Sequence, residues 1–321
     1  MTLHCRVRLL GSSGGLYSVR AEEDDPSGAV RRGDRFALSA RGAFRHQGTS
    51  PLVGDLAILR LETDENGNPD RERGILMESL LPRKNELIRP PMANLDYLLI
   101  TAAAASPAPS TLALDKLTAA CEAQKVTPMI IINKCDLSPE TAELLYAVYA
   151  GVGYPVFLVS AKEGVGEDAL RDALSSLLPG KTAAFAGASG VGKSSCLNML
   201  FPQLRLQTNT VSVRTGRGRH TTRAVSLLPL ELENGAECFL ADTPGFGLLD
   251  FENYDFLGED ELIWAFPEFE PYLTCCRYTK CTHTKEEGCA ILAAVKEGKI
   301  APSRHGSYVL LRDELRRNRW K

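Results

Sequence analysis

No apolar run among the chain's 321 residues approaches the length of a membrane span, so a soluble protein is expected. The opening Met1-Thr2-Leu3-His4-Cys5-Arg6 does not have the form of a signal peptide, which makes the cytoplasm the expected compartment. A basic balance is missing as well. The net charge is −3, so global charge gives no indication of nucleic-acid binding. An even cysteine set is also absent. Nine cysteines without a secretion signal point to reduced thiols or a metal site rather than a disulfide framework. What remains is 44% apolar and 24% charged, ordinary for a globular chain long enough for two or three domains.

Charge is uneven along the chain. Arg205 to Arg223 holds five arginines and no acid, and Ser303 to Lys321 holds six Lys/Arg and two acids. Between them, Asp250 to Glu261 carries six acids and no Lys or Arg. Such runs are most often solvated faces.

The stretch with the most chemistry is Gly187-Ala188-Ser189-Gly190-Val191-Gly192-Lys193-Ser194, a phosphate-loop pattern. An apolar run, Ala183–Ala186, precedes it as a strand, and Ser195–Leu200 follows as the first turns of a helix. Glycines let backbone N–H groups approach phosphate oxygens at a helix N-terminus. Lys193 would reach the β and γ phosphates as a catalytic cation, and the Ser194 hydroxyl would hold Mg²⁺. Ser195 completes the expected nucleotide contacts of this stretch.

Residues 1–80 contain five short, partly alternating runs punctuated by Gly, Pro, Asn and Asp. That pattern fits a small all-β barrel of the OB type. By itself it leaves a nucleic-acid-binding surface and a plain packing module equally open. Residues 81–94, with Pro82, Pro90 and Pro91, read as a linker. From residue 95 to 250 strands alternate with helices, which implies an α/β domain on a mostly parallel sheet. Ligands of such sheets sit beyond the carboxyl ends of the strands.

Two further motifs stand at such ends. Asn133-Lys134-Cys135-Asp136 follows the Met129–Ile132 run. A carboxylate at Asp136 accepts from guanine N1–H and the 2-amino group, donors that adenine does not offer. Asn133 would brace the loop, and Lys134 would lie along the base. Ser160-Ala161-Lys162 follows the next strand, where a backbone N–H can meet guanine O6. Further on, Asp242-Thr243-Pro244-Gly245 is a D-x-x-G element: Asp242 would hold Mg²⁺ through water, and the Gly245 N–H would sense the γ-phosphate. The residue after that glycine is Phe246, where many GTPases carry a water-orienting Gln. His220, in the arginine-rich loop, is the leading candidate to position water; the alternative is an idle loop histidine.

Residues 251–321 end the chain. The spacing Cys276-x₄-Cys281-x-His283-x₅-Cys289 supplies the closed tetrahedral ligand set of one structural Zn²⁺. Cys275 is adjacent and competes with Cys276 as the ligand. Trp264, Phe266, Phe269 and Tyr272 would form the core of a small helical zinc domain.

The motif order is unusual. The base-reading loops (133–136 and 160–162) precede the phosphate loop (187–194) and D-x-x-G (242–245), as in a circular permutation of the usual GTPase order. With Arg41–Arg45, Val53-Gly54-Asp55, Pro82–Asn85, Ala93–Asp96 and Gly216–Thr222 added, the chain closely resembles the RsgA (YjeQ) family of circularly permuted GTPases. The resemblance implies an OB domain, a permuted GTPase domain and a C-terminal zinc domain. It implies GTP hydrolysis coupled to late maturation of the 30S ribosomal subunit, with rRNA contacts through the flanking domains. Separately, a monomer that binds no membrane is expected. The resemblance makes Thr222 the switch threonine on Mg²⁺ and strengthens His220 as the water-positioning residue. A nucleotide-gated RNA-binding scaffold with incidental hydrolysis is the competing reading, and a P-loop ATPase or kinase the third. The permutation also leads D-x-x-G through Phe246–Asp260 into the zinc domain, so loss of γ-phosphate is expected to reach that domain directly.

Overall fold

A computed structural model describes residues 2–25, 28–39, 50–62, 75–88, 91–204, 225–242 and 257–318. Among these, the strands of the first part are β1 (Thr2–Ser13), β2 (Leu16–Ala21), β3 (Arg35–Ser39), β4 (Leu56–Glu62), β5 (Ile75–Leu80), β6 (Glu86–Ile88) and β7 (Pro91–Ala93). The α/β part follows as β8 (Tyr97–Ala103), α1 (Thr111–Gln124), β9 (Thr127–Asn133), α2 (Pro139–Val152), β10 (Val156–Leu158), α3 (Glu167–Leu177), β11 (Thr182–Ala186) and α4 (Lys193–Leu200). Then come β12 (Ser226–Glu231), β13 (Glu237–Asp242), α5 (Ala290–Lys296) and α6 (Pro302–Asn318). No helix among the described residues is long and apolar enough to cross a membrane.

The chain forms two compact units. One comprises Met1–Asp96, Leu177–Ala184 and Ser212–Gly245; the other comprises Tyr97–Ser176, Phe185–Val211 and Phe246–Lys321.

In the first unit the antiparallel order β3-β2-β1-β4-β5 is that of an OB barrel, with β1 pairing on both edges. Its inward face follows the two-residue strand period: Leu3, Cys5, Val7 and Leu9 are buried together with Val19, Phe36, Leu59 and Met77. Alternation fails at Arg8, which is also buried. Its guanidinium forks onto Glu22 at 2.9 Å, donates to Thr182 Oγ1 at 2.9 Å and lies 4.4 Å over the Phe239 ring. β1 continues into an antiparallel ladder with β12, and β12 pairs with β13, so the barrel strand and these later strands share one sheet.

Residues 81–94 hold more structure than their prolines suggest. β6 and β7 pair as a short antiparallel hairpin, with Pro91 opening β7, where a missing N–H costs little. Arg83 places a bidentate fork on the fully buried Asp55 at 2.7 and 2.8 Å. Asn94 donates to Gly54 O at 3.0 Å and accepts from Lys84 N at 2.8 Å. Asn85 binds both backbone groups of Leu95. Asp55→Ala removes both ends of that fork while Arg83 keeps Glu86 and the Ser50 carbonyl, so it is expected to destabilise this unit by about 2–3 kcal/mol, read as a lower urea midpoint.

In the second unit β8, β9 and β10 are parallel, and Met129–Ile132 of β9 is wholly buried, as its apolar run requires. The C-terminal region shares a core with α1: Ala119 packs with Leu262, Phe266, Phe269, Ile291, Tyr308 and Leu311. Stacked and edge-on pairs among Phe266, Phe269 and Tyr308, with centroids 5.2–5.5 Å apart, fill its centre. Trp264, expected in this core, is 63% exposed.

Candidate nucleotide site and metal cluster

Four loops meet at the carboxyl ends of β8, β9 and β10. Two glycines set how closely they pack. A Cβ on Gly187 would overlap the Thr101 carbonyl, and one on Gly192 would overlap Asn133 Nδ2. Both sit at positive φ, +139° and +98°, so only glycine fits without strain. Lys193 opens α4, and with glycine at its N-cap no side chain caps that helix or competes for its first N–H groups. Lys193 Nζ donates to Gly187 O and Ala188 O at 2.7 and 2.8 Å, and burial pulls its pKa down. Phosphate oxygens would replace those carbonyls and reverse the burial penalty. Ser194 and Ser195 lie half-buried in the first turn, beside Ala188, Ser189, Gly190 and Val191 of the loop.

Asn133 is the central brace. It is 3% exposed, donates from Nδ2 to Val191 O at 2.9 Å and accepts at Oδ1 from Ala161 N at 3.0 Å. One amide therefore joins the Asn133–Asp136 loop, the Ser160–Lys162 loop and the Gly187–Gly192 loop. Lys134, at φ +60°, donates to Gly190 O at 2.8 Å and to Ser106 O. Ser160 is buried, with its Oγ accepting from Glu163 N at 3.3 Å, while Lys162 extends into solvent beside Glu163. Asp136 is exposed. The Ser106–Pro107 segment against Gly190 carried no motif by which sequence could have found it.

Asp242 ends β13. His220, Thr222, Gly245 and Phe246 lie outside the described residues, as do residues 205–224 and 243–256 generally.

The second site is compact. Ligand atoms of Cys276, Cys281, His283 and Cys289 all lie within 4.8 Å of one another. His283 Nδ1 is 3.5 Å from Cys276 Sγ and 3.4 Å from Cys289 Sγ, and those two sulfurs are 3.9 Å apart. Thiolates each ~2.3 Å from one tetrahedral ion stand ~3.8 Å apart, so the set fits a closed metal site. Burial lowers the His283 pKa and so favours the neutral, ligating imidazole. Cys275 is exposed and outside the group, which leaves Cys276 as the member at this position. Sequence reasoning missed the support around it. Glu286 accepts from Thr282 N, Thr284 N and Lys285 N at 2.8–3.1 Å and so holds the loop carrying His283. Burial opposes its ionisation, yet hydrogen bonds beginning with those from Thr282 hold the carboxyl at about 2. His305 Nε2 meets His283 O at 2.7 Å.

The basic C-terminal segment is only partly available to a partner. Arg304 is fully buried, and Arg312 pairs with Glu259 at 2.6 Å.

Comparison with known proteins agrees with this geometry. A model of the RsgA GTPase family matches residues 80–252. The small ribosomal subunit biogenesis GTPase RsgA of Alkaliphilus metalliredigens is 39% identical over 286 residues, covering 88% of this chain and 92% of its own. That of Bacillus subtilis is 36% identical over 317 residues, covering 96% and 97%. Among solved structures, YjeQ from Thermotoga maritima gives a TM-score of 0.75 at 30% identity, over 98% of this chain and 99% of its own. YloQ, described as a circularly permuted GTPase, gives 0.74 at 30% identity, over 98% and 96%. With the Asn133–Asp136 loop ahead of the Gly187–Ser194 loop and both braced through Asn133, the chain belongs to the RsgA GTPase family and is a GTP hydrolase.

Proposed function

We propose that this GTPase acts in late maturation of the 30S ribosomal subunit, binding rRNA through its flanking regions and leaving after hydrolysis. What carries the reading is the extent of the match. Proteins named small ribosomal subunit biogenesis GTPase align with nearly the whole chain, flanking regions included. The division is an OB domain (1–80), a connecting segment (81–94), a GTPase domain (95–250) and a zinc domain (251–321). The protein is cytoplasmic and monomeric.

In this reading Asp136 reads guanine, Lys134 lies along the base, and the Ala161 N–H meets O6. Gly187 to Ser195 wraps the phosphates, with Lys193 on the β and γ groups. Ser194 and Thr222 would hold Mg²⁺ through hydroxyl oxygens, with Asp242 acting through water; the ion supplies neutralisation of phosphate charge. Gly245 senses the γ-phosphate, and His220 orients the attacking water where Phe246 cannot. Zinc is the metal that suits three thiolates and one imidazole without an open position, so Cys276, Cys281, His283 and Cys289 would hold it structurally.

The test is GTPase rate against added small subunits, large subunits and whole ribosomes. Small subunits are expected to raise the rate by about one to two decades, and His220→Ala to remove that gain. A rate unchanged by small subunits, with nucleotide-dependent rRNA binding intact, would favour the scaffold reading.

A further inference from the structure

Arg304 of α6 is the largest fully buried side chain among the described residues, and it is a cation. Its Nε and Nη2 fork onto Glu268 at 2.6 and 3.1 Å. Its Nη1 donates to Asp115 Oδ1 at 2.8 Å and Thr118 Oγ1 at 2.9 Å, both on α1. The guanidinium lies 4.6 Å from the Phe266 ring centroid. Asp115 Oδ1 also accepts from Tyr149 OH of α2 at 2.9 Å. One side chain thus joins α1, α2 and the C-terminal region.

Such a network adds little net stability over an apolar core of equal volume. Its particular contribution is geometry, because a planar fork with fixed donors holds its partners at set angles. The partners are informative. α1 and α2 flank β9, the strand that ends in Asn133, and α2 begins just after Asp136. Asp115 lies in the first turns of α1. That helix starts at its Ser110 cap, where Ser110 Oγ accepts from Ala113 N at 3.2 Å. Just before the cap is Ser106, whose carbonyl accepts from Lys134 Nζ, and the same ammonium donates to Gly190 O of the phosphate loop.

We propose that Arg304 is a positioning residue for the guanine-nucleotide site. By clamping α1 and α2 to α6 it fixes the Ser106 carbonyl and the Lys134 loop, and so sets how long nucleotide stays bound. The inference rests on the reading of Asn133–Asp136 as the base loop. A consequence is that whatever strains the C-terminal region alters nucleotide release.

The experiment uses the full chain with its metal content checked, and a fluorescent GDP followed as it dissociates well below the melting transition. Arg304→Lys keeps the charge and loses the fork; it is expected to release GDP about tenfold faster. Tyr149→Phe removes only the hydroxyl link to Asp115 and is expected to speed release about threefold, which covers the case of Arg304→Lys failing to fold. Combined with Lys134→Ala, either variant should add less than the product of the separate effects, because both act through one brace. A lower melting temperature with GDP release unchanged in the folded variants, or effects that simply multiply, would overturn the proposal. Failure of the base-loop reading has a different signature: the unsubstituted chain would bind GDP no more tightly than ADP, and the inference would fall with it.

Discussion

Gly192→Ala is expected to weaken guanine-nucleotide binding by between two and three decades, measured as the Kd for GDP. The new Cβ would overlap Asn133 Nδ2 at a residue whose φ is +98°. Backbone strain accounts for about 1–2 kcal/mol. Asn133 has no free direction in which to yield, being 3% exposed with its amide engaged by Val191 and Ala161. Losing those two hydrogen bonds adds about 1 kcal/mol each. The sum, about 3–4 kcal/mol, falls on three loops that in the proposed reading all serve the nucleotide, at roughly 1.4 kcal/mol per decade. Gly180→Ala is the control. It shares a positive φ of +70° but a Cβ there meets nothing within 4 Å, so it should lower stability and leave GDP affinity intact. A Gly192→Ala chain that binds GDP within tenfold of the parent would show that the Asn133 brace is dispensable.

Removing the metal is expected to unfold the C-terminal region while the barrel keeps its protection, seen as amide exchange over 257–318 after chelation. Cys276, Cys281 and Cys289 pack into the core that includes Phe266, Phe269 and Tyr308. Three sulfurs and an imidazole lie within 4.8 Å of one another, the spacing of one tetrahedral ligand set. Structural zinc sites contribute on the order of 10 kcal/mol of apparent binding energy, much of it folding energy. This region also has an aromatic core, so the loss should be large without being total. Cys276→Ser should reproduce the chelated state, and Cys275→Ser should keep both metal and melting temperature. The reverse outcome would assign the ligand to Cys275.

Much of the fold was legible because the signals were local. The β9 apolar run announced a buried parallel strand, and five short, partly alternating runs in residues 1–80 announced a small barrel. The motif order, with 133–136 ahead of 187–194, announced the permutation. Four ligands within residues 276–289 announced a metal site. Other readings needed the fold. Prolines made 81–94 look like a linker, yet the bonds that order it run to Asp55 and Gly54, far back in the chain. Aromatic content put Trp264 in a core whose space Phe266, Phe269 and Tyr308 already fill.

The amino-acid order alone thus determined the family of this protein, a circularly permuted GTPase, and the Cys/His spacing of a candidate metal cluster. Each rests on neighbouring residues whose spacing is itself the geometry. Only the tertiary structure decided which cysteine of the adjacent pair joins the cluster, and that Arg304 turns into the interior while Arg312 pairs with Glu259. Arg304 counts as a surface charge by composition, but it meets Asp115 across 189 positions in the core. No local pattern encodes that contact, because its partner is supplied by another helix and its burial by the packing of both.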